Sequence, residues 1–250
     1  AGESVVFSSF FTSASPCVPS RHSFLTGRQP WMLGCYDNWK FSMGDEQTWM
    51  SILRDQGYAC VSVGKTHMIH AGSYHVQIPV GKTFGDQGGW DHFHPASSPE
   101  AEENYFDILA TQRACEVLES LKDRPFALFL GFHAPHEPYI MPGKYLDFCK
   151  PEDVSLPESC SGDDFANKSV GYKNRIKLFE RMFGKITDED IKKGIAGHHC
   201  LMKMVDDCLE KFLDTLEKNN LLENTIIVYG SDHGDVLGEH RLFNKVATFY

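Results

Sequence analysis

The chain has no long apolar run. Its longest, Phe126–Phe132 (FALFLGF), has the length of a strand and falls far short of the ~18 residues a membrane helix needs. It has no excess of basic charge either: 24 Lys and Arg against 34 Asp and Glu give a net charge of -10. That excludes the basic stripe of a general nucleic-acid binder, though not an anionic small-molecule substrate, for which local positive charge suffices. Eight cysteines (17, 35, 60, 115, 149, 160, 200 and 208) include no CxxC pair, which argues against a zinc ribbon or a thioredoxin-type site. They are also too few for a disulfide scaffold in 250 residues, and their number leans toward a reducing compartment. The opening AGESVVFSSFF lacks the basic region and cleavage motif of a signal peptide, so an export signal would lie upstream. No internal repeat or low-complexity tract is present. With 42% hydrophobic and 23% charged residues, disordered and collagen-like chains are excluded, and the length suits one large domain or two small ones.

What is there reads as alternating strands and helices. Strands are expected at Ser4–Phe11, rich in β-branched and aromatic residues, and at Tyr58–Val63, Phe126–Phe132 and Asn224–Ser231. Helices are expected at about Pro19–Thr26, closed by Gly27, at Asp45–Gln56, at Ser98 to about Leu121 and at Thr187–Glu217. The last carries a continuous apolar face from Leu201 through Leu216. Pro135–Arg181, rich in Pro, Gly and Asp and without periodicity, reads as a surface excursion. The pattern is that of an α/β sheet with helices on both faces. Three polar clusters follow expected strands: Lys65/His67, His133/His136 and Asp232/His233. Ligands of open α/β sheets bind at the carboxyl ends of strands, so the three clusters can converge on one site.

The strongest local signal is Cys17-Val18-Pro19-Ser20-Arg21, extended by Ser23, Leu25, Thr26 and Gly27. A buried cysteine before a helix would account for Cys17 alone. The whole string matches C-x-P-S-R-x-S-x-L-T-G at every defined position, and the chain resembles the type I sulfatases of the alkaline-phosphatase-like superfamily. The resemblance implies an alkaline-phosphatase-like, mostly parallel sheet flanked by helices. It also implies that Cys17 is oxidised to formylglycine, whose hydrated aldehyde supplies the nucleophile, with Arg21 bracing the hydrate. A helix N-terminus at this point would favour the developing negative charge.

Gly64-Lys65-Thr66-His67 looks like the family's G-K-x-H element. Lys65 would then bind the sulfate oxygens and His67 would contact the hydrate, with His70 a nearby substitute. His133-Ala134-Pro135-His136 resembles H-x-P-H, making His136 a substrate-binding histidine and, at a near-neutral pKa, a general acid. His133 is a structural hydrogen-bonding residue or a member of the site. Ser231-Asp232-His233-Gly234 matches the family's metal element. The metal set is then Cys17, Asp232 and His233, with His233 either a ligand or a nearby hydrogen bond. Calcium is the first choice, while the donors also admit magnesium or manganese. Lys245 falls where the family has a sulfate-binding lysine. Together Lys65, Lys245 and Arg21 supply the local positive charge that the net -10 conceals.

The family also begins with a strand ending in paired aspartates. No such strand precedes Ser4, and Asp163-Asp164 sits in a turn-rich context that does not match. Residues 1–250 are therefore expected to be an internal portion of a sulfatase catalytic domain, without that first strand and without the C-terminal subdomain. Asp206-Asp207 reads as a solvated helix face. In His198-His199-Cys200, neighbours on a helix point in different directions. Trp90–His94 either lines a substrate pocket or packs as a loop plug, and Asn167-Lys168-Ser169 fits an N-glycosylation pattern that is frequent by chance.

The implied activity is hydrolysis of a sulfate monoester on a sulfated small molecule or glycan, after processing by a formylglycine-generating enzyme. The alternatives are a phosphodiesterase or phosphonate monoester hydrolase of the same superfamily, and a catalytically silent homologue that binds sulfated glycans. The resemblance implies a lysosomal, secreted or periplasmic location, against the lean of the cysteine count toward the cytoplasm.

Overall fold

The computed structural model describes residues 4–39, 46–66, 74, 76–78, 80, 94–160 and 169–245. In chain order its elements are α1 (Cys17–Thr26), α2 (Pro30–Leu33), α3 (Trp49–Asp55), β1 (Ala59–Gly64), β2 (Val76–Ile78), β3 (Ala96–Ser97), α4 (Phe106–Leu121), β4 (Phe126–Gly131), β5 (Ile140–Met141), α5 (Val170–Phe183) and α6 (Asp188–Lys218).

The main sheet has the order β2-β1-β4, and both pairings are parallel. Side chains of β1 alternate between its faces, as the pleat requires. Val61 and Val63 meet Ala110 and Ala114 of α4, with Leu128, Leu130 and Phe212 closing that layer. On the opposite face Cys60 packs with Leu25, Met50 and Phe129. Helices therefore cover both faces, as the sequence leads one to expect. The long α6 starts at a capping box in which Thr187 Oγ1 accepts from Asp190 N and Asp190 Oδ2 accepts from Thr187 N. Its Leu201, Met204 and Val205 are buried against Tyr139, Ile140, Met141 and Tyr145.

This corrects one expectation. Pro135–Arg181 is not only a surface excursion: Tyr139, Ile140 and Met141 are almost wholly buried, and β5 pairs in parallel with β3. Strands of two residues leave no periodic signal. The helix expected from Ser98 begins later, because Glu102–Asn104 form a separate 3-10 turn before α4. Ser4–Phe11 and Asn224–Ser231 form no strand. Val5, Val6 and Phe11 are at least 74% exposed, and Ile226 is 94% exposed. Strand preference is largely the preference of such side chains for a pleated surface to pack on. Neither segment finds that surface among the described residues.

The end of the sheet is shaped by two glycines in register, Gly64 of β1 and Gly131 of β4. Gly64 has φ +82°, and a Cβ there would lie 2.3 Å from Gly131 O. The close approach lets Lys65 N donate to Gly131 O at 2.8 Å. It sets Lys65 beside the segment that leaves β4.

That segment is held from below by Asp107 in the first turn of α4. Asp107 is 1% exposed, and its carboxylate accepts from His133 N at 2.5 Å and Ala134 N at 3.2 Å. Burial pushes its pKa up to about 6, although these two hydrogen bonds and Lys65 favour the charged form. The native carboxyl thus keeps its proton to higher pH than the unfolded one. Its contribution to stability is largest at pH below ~4 and falls as pH rises toward ~6, by roughly 3 kcal/mol in total. Asp107→Asn removes the titration. The stability of the wild type minus that of the variant, from denaturant melts between pH 4 and 7, should therefore fall by about that amount as pH rises. A flat difference would contradict the assignment.

Candidate active site

Cys17 opens α1 and is 1% exposed. The helix has no side-chain cap at Pro16; instead Val18 N donates to Asn38 Oδ1 at 3.0 Å. One turn on, Arg21 projects across the site: its Nε donates to Asp232 Oδ2 at 2.7 Å and its Nη1 to Lys65 O at 3.0 Å. One guanidinium thus ties the motif helix to the end of β1 and to the Asp232 segment, which lie far apart in the chain. Thr12 Oγ1 donates to Asp232 O at 2.6 Å, and Ser20 Oγ also donates to this carbonyl.

Cys17 Sγ lies 3.1 Å from His233 Nε2. Ligand atoms of Cys17, Asp232 and His233 all lie within 4.8 Å of one another, the one such cluster among the described residues. Burial would raise the pKa of Asp232, but Arg21, His233 and Lys65 outweigh it and keep the carboxylate ionised. For His233, burial favours the neutral ring, yet the Cys17 contact and Asp232 shift its pKa upward. The donors fit part of a divalent cation's shell. Asp232 offers a hard carboxylate, of which Oδ2 is bound by Arg21 and lies 3.6 Å from His233 Nε2, and His233 offers that ring nitrogen.

Lys65 and Lys245 are both buried. Burial draws the pKa of Lys65 down to about 8, with Arg21 and Lys245 adding repulsion against the attraction of Cys17 and Asp232. Lys245 Nζ meets His136 Nε2. Burial first, then Lys245 and Lys65, push the His136 pKa down to about 3. This departs from the near-neutral value expected from the sequence. The neutral ring is thereby favoured, and His136 presents an acceptor nitrogen to Lys245. His133 contributes its backbone N–H to Asp107, and its ring lies 4.9 Å from that of His136.

Five of the six residues expected in catalysis (Cys17, Arg21, Lys65, His136 and Lys245) are thus joined by short contacts or mutual electrostatics, together with Asp232 and His233. His67 and His70, Asp163-Asp164 and Trp90–Phe93 lie outside the described residues, as do Asn167 and Lys168. His94 pairs with Asp190 of α6 at 2.9 Å. Asp206 and Asp207 are the expected solvated face, both bound by Lys203. His199 and Cys200 diverge, with Cys149 Sγ near His199 Nδ1 at 3.7 Å and the Cys200 thiol donating to backbone carbonyls. Sequence reasoning missed Thr12, Asp107, Glu137 and Asn244. The last two flank His136 and Lys245 directly, which was the available signal.

Known proteins resemble this chain in both sequence and fold. The mouse iduronate 2-sulfatase is 28% identical over 288 residues, covering all of this chain and 51% of the relative. The choline-sulfatase of Rhizobium meliloti is 26% identical over 278 residues, again covering the whole chain and 54% of the relative. The chain therefore spans about half the length of the curated relatives it matches. Among solved structures, a phosphonate monoester hydrolase from Silicibacter pomeroyi superposes with a TM-score of 0.75 at 18% identity, over 96% of this chain and 57% of that one. A 2-O GAG sulfatase gives 0.71 at 22%, over 98% and 54%. The parallel sheet between helices is the alkaline-phosphatase-like fold. The family model named Sulfatase matches residues 1–248, so the chain belongs to the sulfatase family.

Proposed function

We propose that residues 1–250 are the part of a sulfatase catalytic domain that carries the nucleophile and the sulfate cradle, and that the protein hydrolyses a sulfate monoester. The observation that carries the reading is the placing of Cys17 at the start of α1. There it lies 3.1 Å from His233 Nε2 and among the charges of Arg21, Lys65 and Lys245. Formylglycine at Cys17, made by a formylglycine-generating enzyme, would supply a hydrated aldehyde in place of the thiol. A divalent cation held by Asp232 and His233, with calcium the first choice, would polarise the sulfuryl group and acidify the attacking hydroxyl.

The residues of the chain do the rest. Lys65 and Lys245 hold the anionic oxygens, and burial makes each contact worth more than it would be in water. The hydrate would supply the hydroxyl that bonds to sulfur as the bond from sulfur to the ester oxygen breaks, its proton passing to solvent. The departing oxygen takes its proton from the Lys245–His136 pair. The anion also offsets the two ammonium charges that depress His136, so His136 gains basicity when substrate is in place. The second hydroxyl of the hydrate would allow sulfate to be expelled and the aldehyde restored, with His136 Nε2 available to accept its proton. Arg21, fixed to Asp232 and to Lys65 O, keeps the nucleophile's helix in register with the cradle.

No helix among the described residues is long and apolar enough to cross a membrane. Family resemblance favours a lysosomal, secreted or periplasmic protein acting on a sulfated small molecule or glycan.

Peptide mass spectrometry across Cys17 of the natively produced protein tests the chemistry: the side chain should have exchanged CH2SH for CHO. Profiling should then show sulfate esters cleaved in preference to phosphodiesters and phosphonate monoesters. The opposite preference would make the protein a phosphonate or phosphodiester hydrolase. A thiol left intact after co-expression with the modifying enzyme, with no ester hydrolysed, would leave a binder of sulfated glycans.

A further inference from the structure

We propose that Glu137 is a positioning residue that couples the two arms of the anion cradle, His136 and Lys245. Four residues form a closed ring of polar contacts. His136 Nδ1 lies 3.2 Å from Glu137 Oε2, and also 2.6 Å from the Glu137 carbonyl oxygen. Asn244 Nδ2 donates to the other carboxylate oxygen, Glu137 Oε1. Lys245 N donates to Asn244 Oδ1 at 2.5 Å. Lys245 Nζ returns to His136 Nε2 and closes the circuit.

The ring joins the segment after β4 to a segment more than a hundred residues later. The Glu137 side chain is only 11% exposed, so water competes weakly for its oxygens. Asn244 sits at φ 76°, a left-handed conformation that an asparagine tolerates and that needs support. Its N–H donates to Asp235 Oδ1 at 3.1 Å and its carbonyl accepts from Val236 N at 3.2 Å, and Glu137 adds support at the side chain.

The chemical consequence lies in the imidazole. Two acceptors of Glu137 crowd Nδ1, so the ring proton resides there and Nε2 is left as the acceptor facing the ammonium of Lys245. A carboxylate at Nδ1 also stabilises the imidazolium when the ring does take a proton, as a second partner does for many functional histidines. Glu137 thereby sets the orientation and tautomer of His136 and, through Asn244, the reach of Lys245. The kinetic importance of this rests on the sulfatase reading; the ring itself does not.

Two measurements separate those levels. In wild-type protein labelled at histidine nitrogens, NMR should show His136 as the Nδ1–H tautomer, and Glu137→Gln, which turns an amide NH2 toward the ring, should disturb it. An Nε2–H tautomer in the wild type, or unchanged His136 shifts in E137Q, overturns the proposal whether or not the protein hydrolyses anything. In the formylglycine-bearing enzyme, E137Q should lower kcat roughly 10- to 100-fold while KM changes by less.

The acid limb of the kcat profile should also move to lower pH. The groups facing His136 there are Lys245, Lys65, Cys17, Glu137 and the ring of His133. Asn244→Ala should cost less, and the losses in the double variant should fail to multiply, because both cut the same ring. Multiplying losses with an unmoved pH profile would make Glu137 merely structural and overturn the proposal. A wild-type enzyme inactive on sulfate and phosphate esters would sink the functional reading alone, and the NMR result would still decide the ring.

Discussion

Replacing Cys17 with alanine is expected to lower sulfate ester hydrolysis by at least about 10⁴-fold, because the variant cannot carry the nucleophile and groups that act as one unit lose their effect together. In the unprocessed chain the change removes a single sulfur that is buried and contacts His233, and in the processed chain a group of similar size, so its cost in stability should stay at about 1 kcal/mol, a small cavity at a helix start. That contrast makes the experiment decisive. A folded Cys17→Ala protein, with an unchanged melt, that still turned over within tenfold of the wild type would show that the reaction runs through another group. Arg21, Lys65 and Lys245 should remain in place in the inactive variant. It is therefore expected to keep its affinity for inorganic sulfate within a few-fold, measured by calorimetry, since loss of the nucleophile removes no cation.

Gly131→Ala should have the largest effect on the fold. A Cβ at this position would lie 1.9 Å from Lys65 O and 2.9 Å from its carbonyl carbon. Both are backbone atoms, so no side chain can swing aside. The strands must separate, and the bond from Lys65 N to Gly131 O at 2.8 Å is lost. Overpacking and a broken ladder bond together suggest roughly 3–5 kcal/mol of destabilisation. In a chain of this size that corresponds to a drop in melting temperature of about 10 °C or more. Any protein that still folds should also have lost activity, since Lys65 is carried on the displaced backbone. A thermal melt within two or three degrees of wild type, with activity intact, would show that β1 and β4 can part without disturbing the cradle.

Much of this architecture was legible from residues alone. The apolar face of α6, the strands β1 and β4, and the stop of α1 at Gly27 follow from periodicity and turn chemistry, because each is a local property of the chain. The site string at Cys17 and the Lys65, His136, Asp232 and Lys245 positions carried their own signal. What escaped was set through space. Tyr139–Met141 are core because α6 covers them, and nothing in PYIMP states that. Ser4–Phe11 and Asn224–Ser231 have the composition of strands, but a strand is made by its neighbours. Asp107 has the sequence look of any acid in a first helical turn, and only the return of β4 shows that its two oxygens hold the loop ahead of His136. Near-neutral titration of His136 was an expectation drawn from the residue type. Its burial, and after that the two lysines beside it, are what overturn it.

The joining of Asp232, His233 and Lys245 on one late stretch has a temporal side. This stretch reaches the rest of the molecule through Thr12, Ser20 and Arg21 at one end and through Phe243, packed against Gly194 of α6, at the other. Every one of these contacts closes a loop of tens to hundreds of residues, an entropic toll that local helices and the β1–β4 ladder avoid in part. Assembly of the candidate site is therefore expected to come late as the chain folds and to be lost early on warming. The helical signal of α4 and α6 outlasts it: the molecule can forget its chemistry while still remembering its shape.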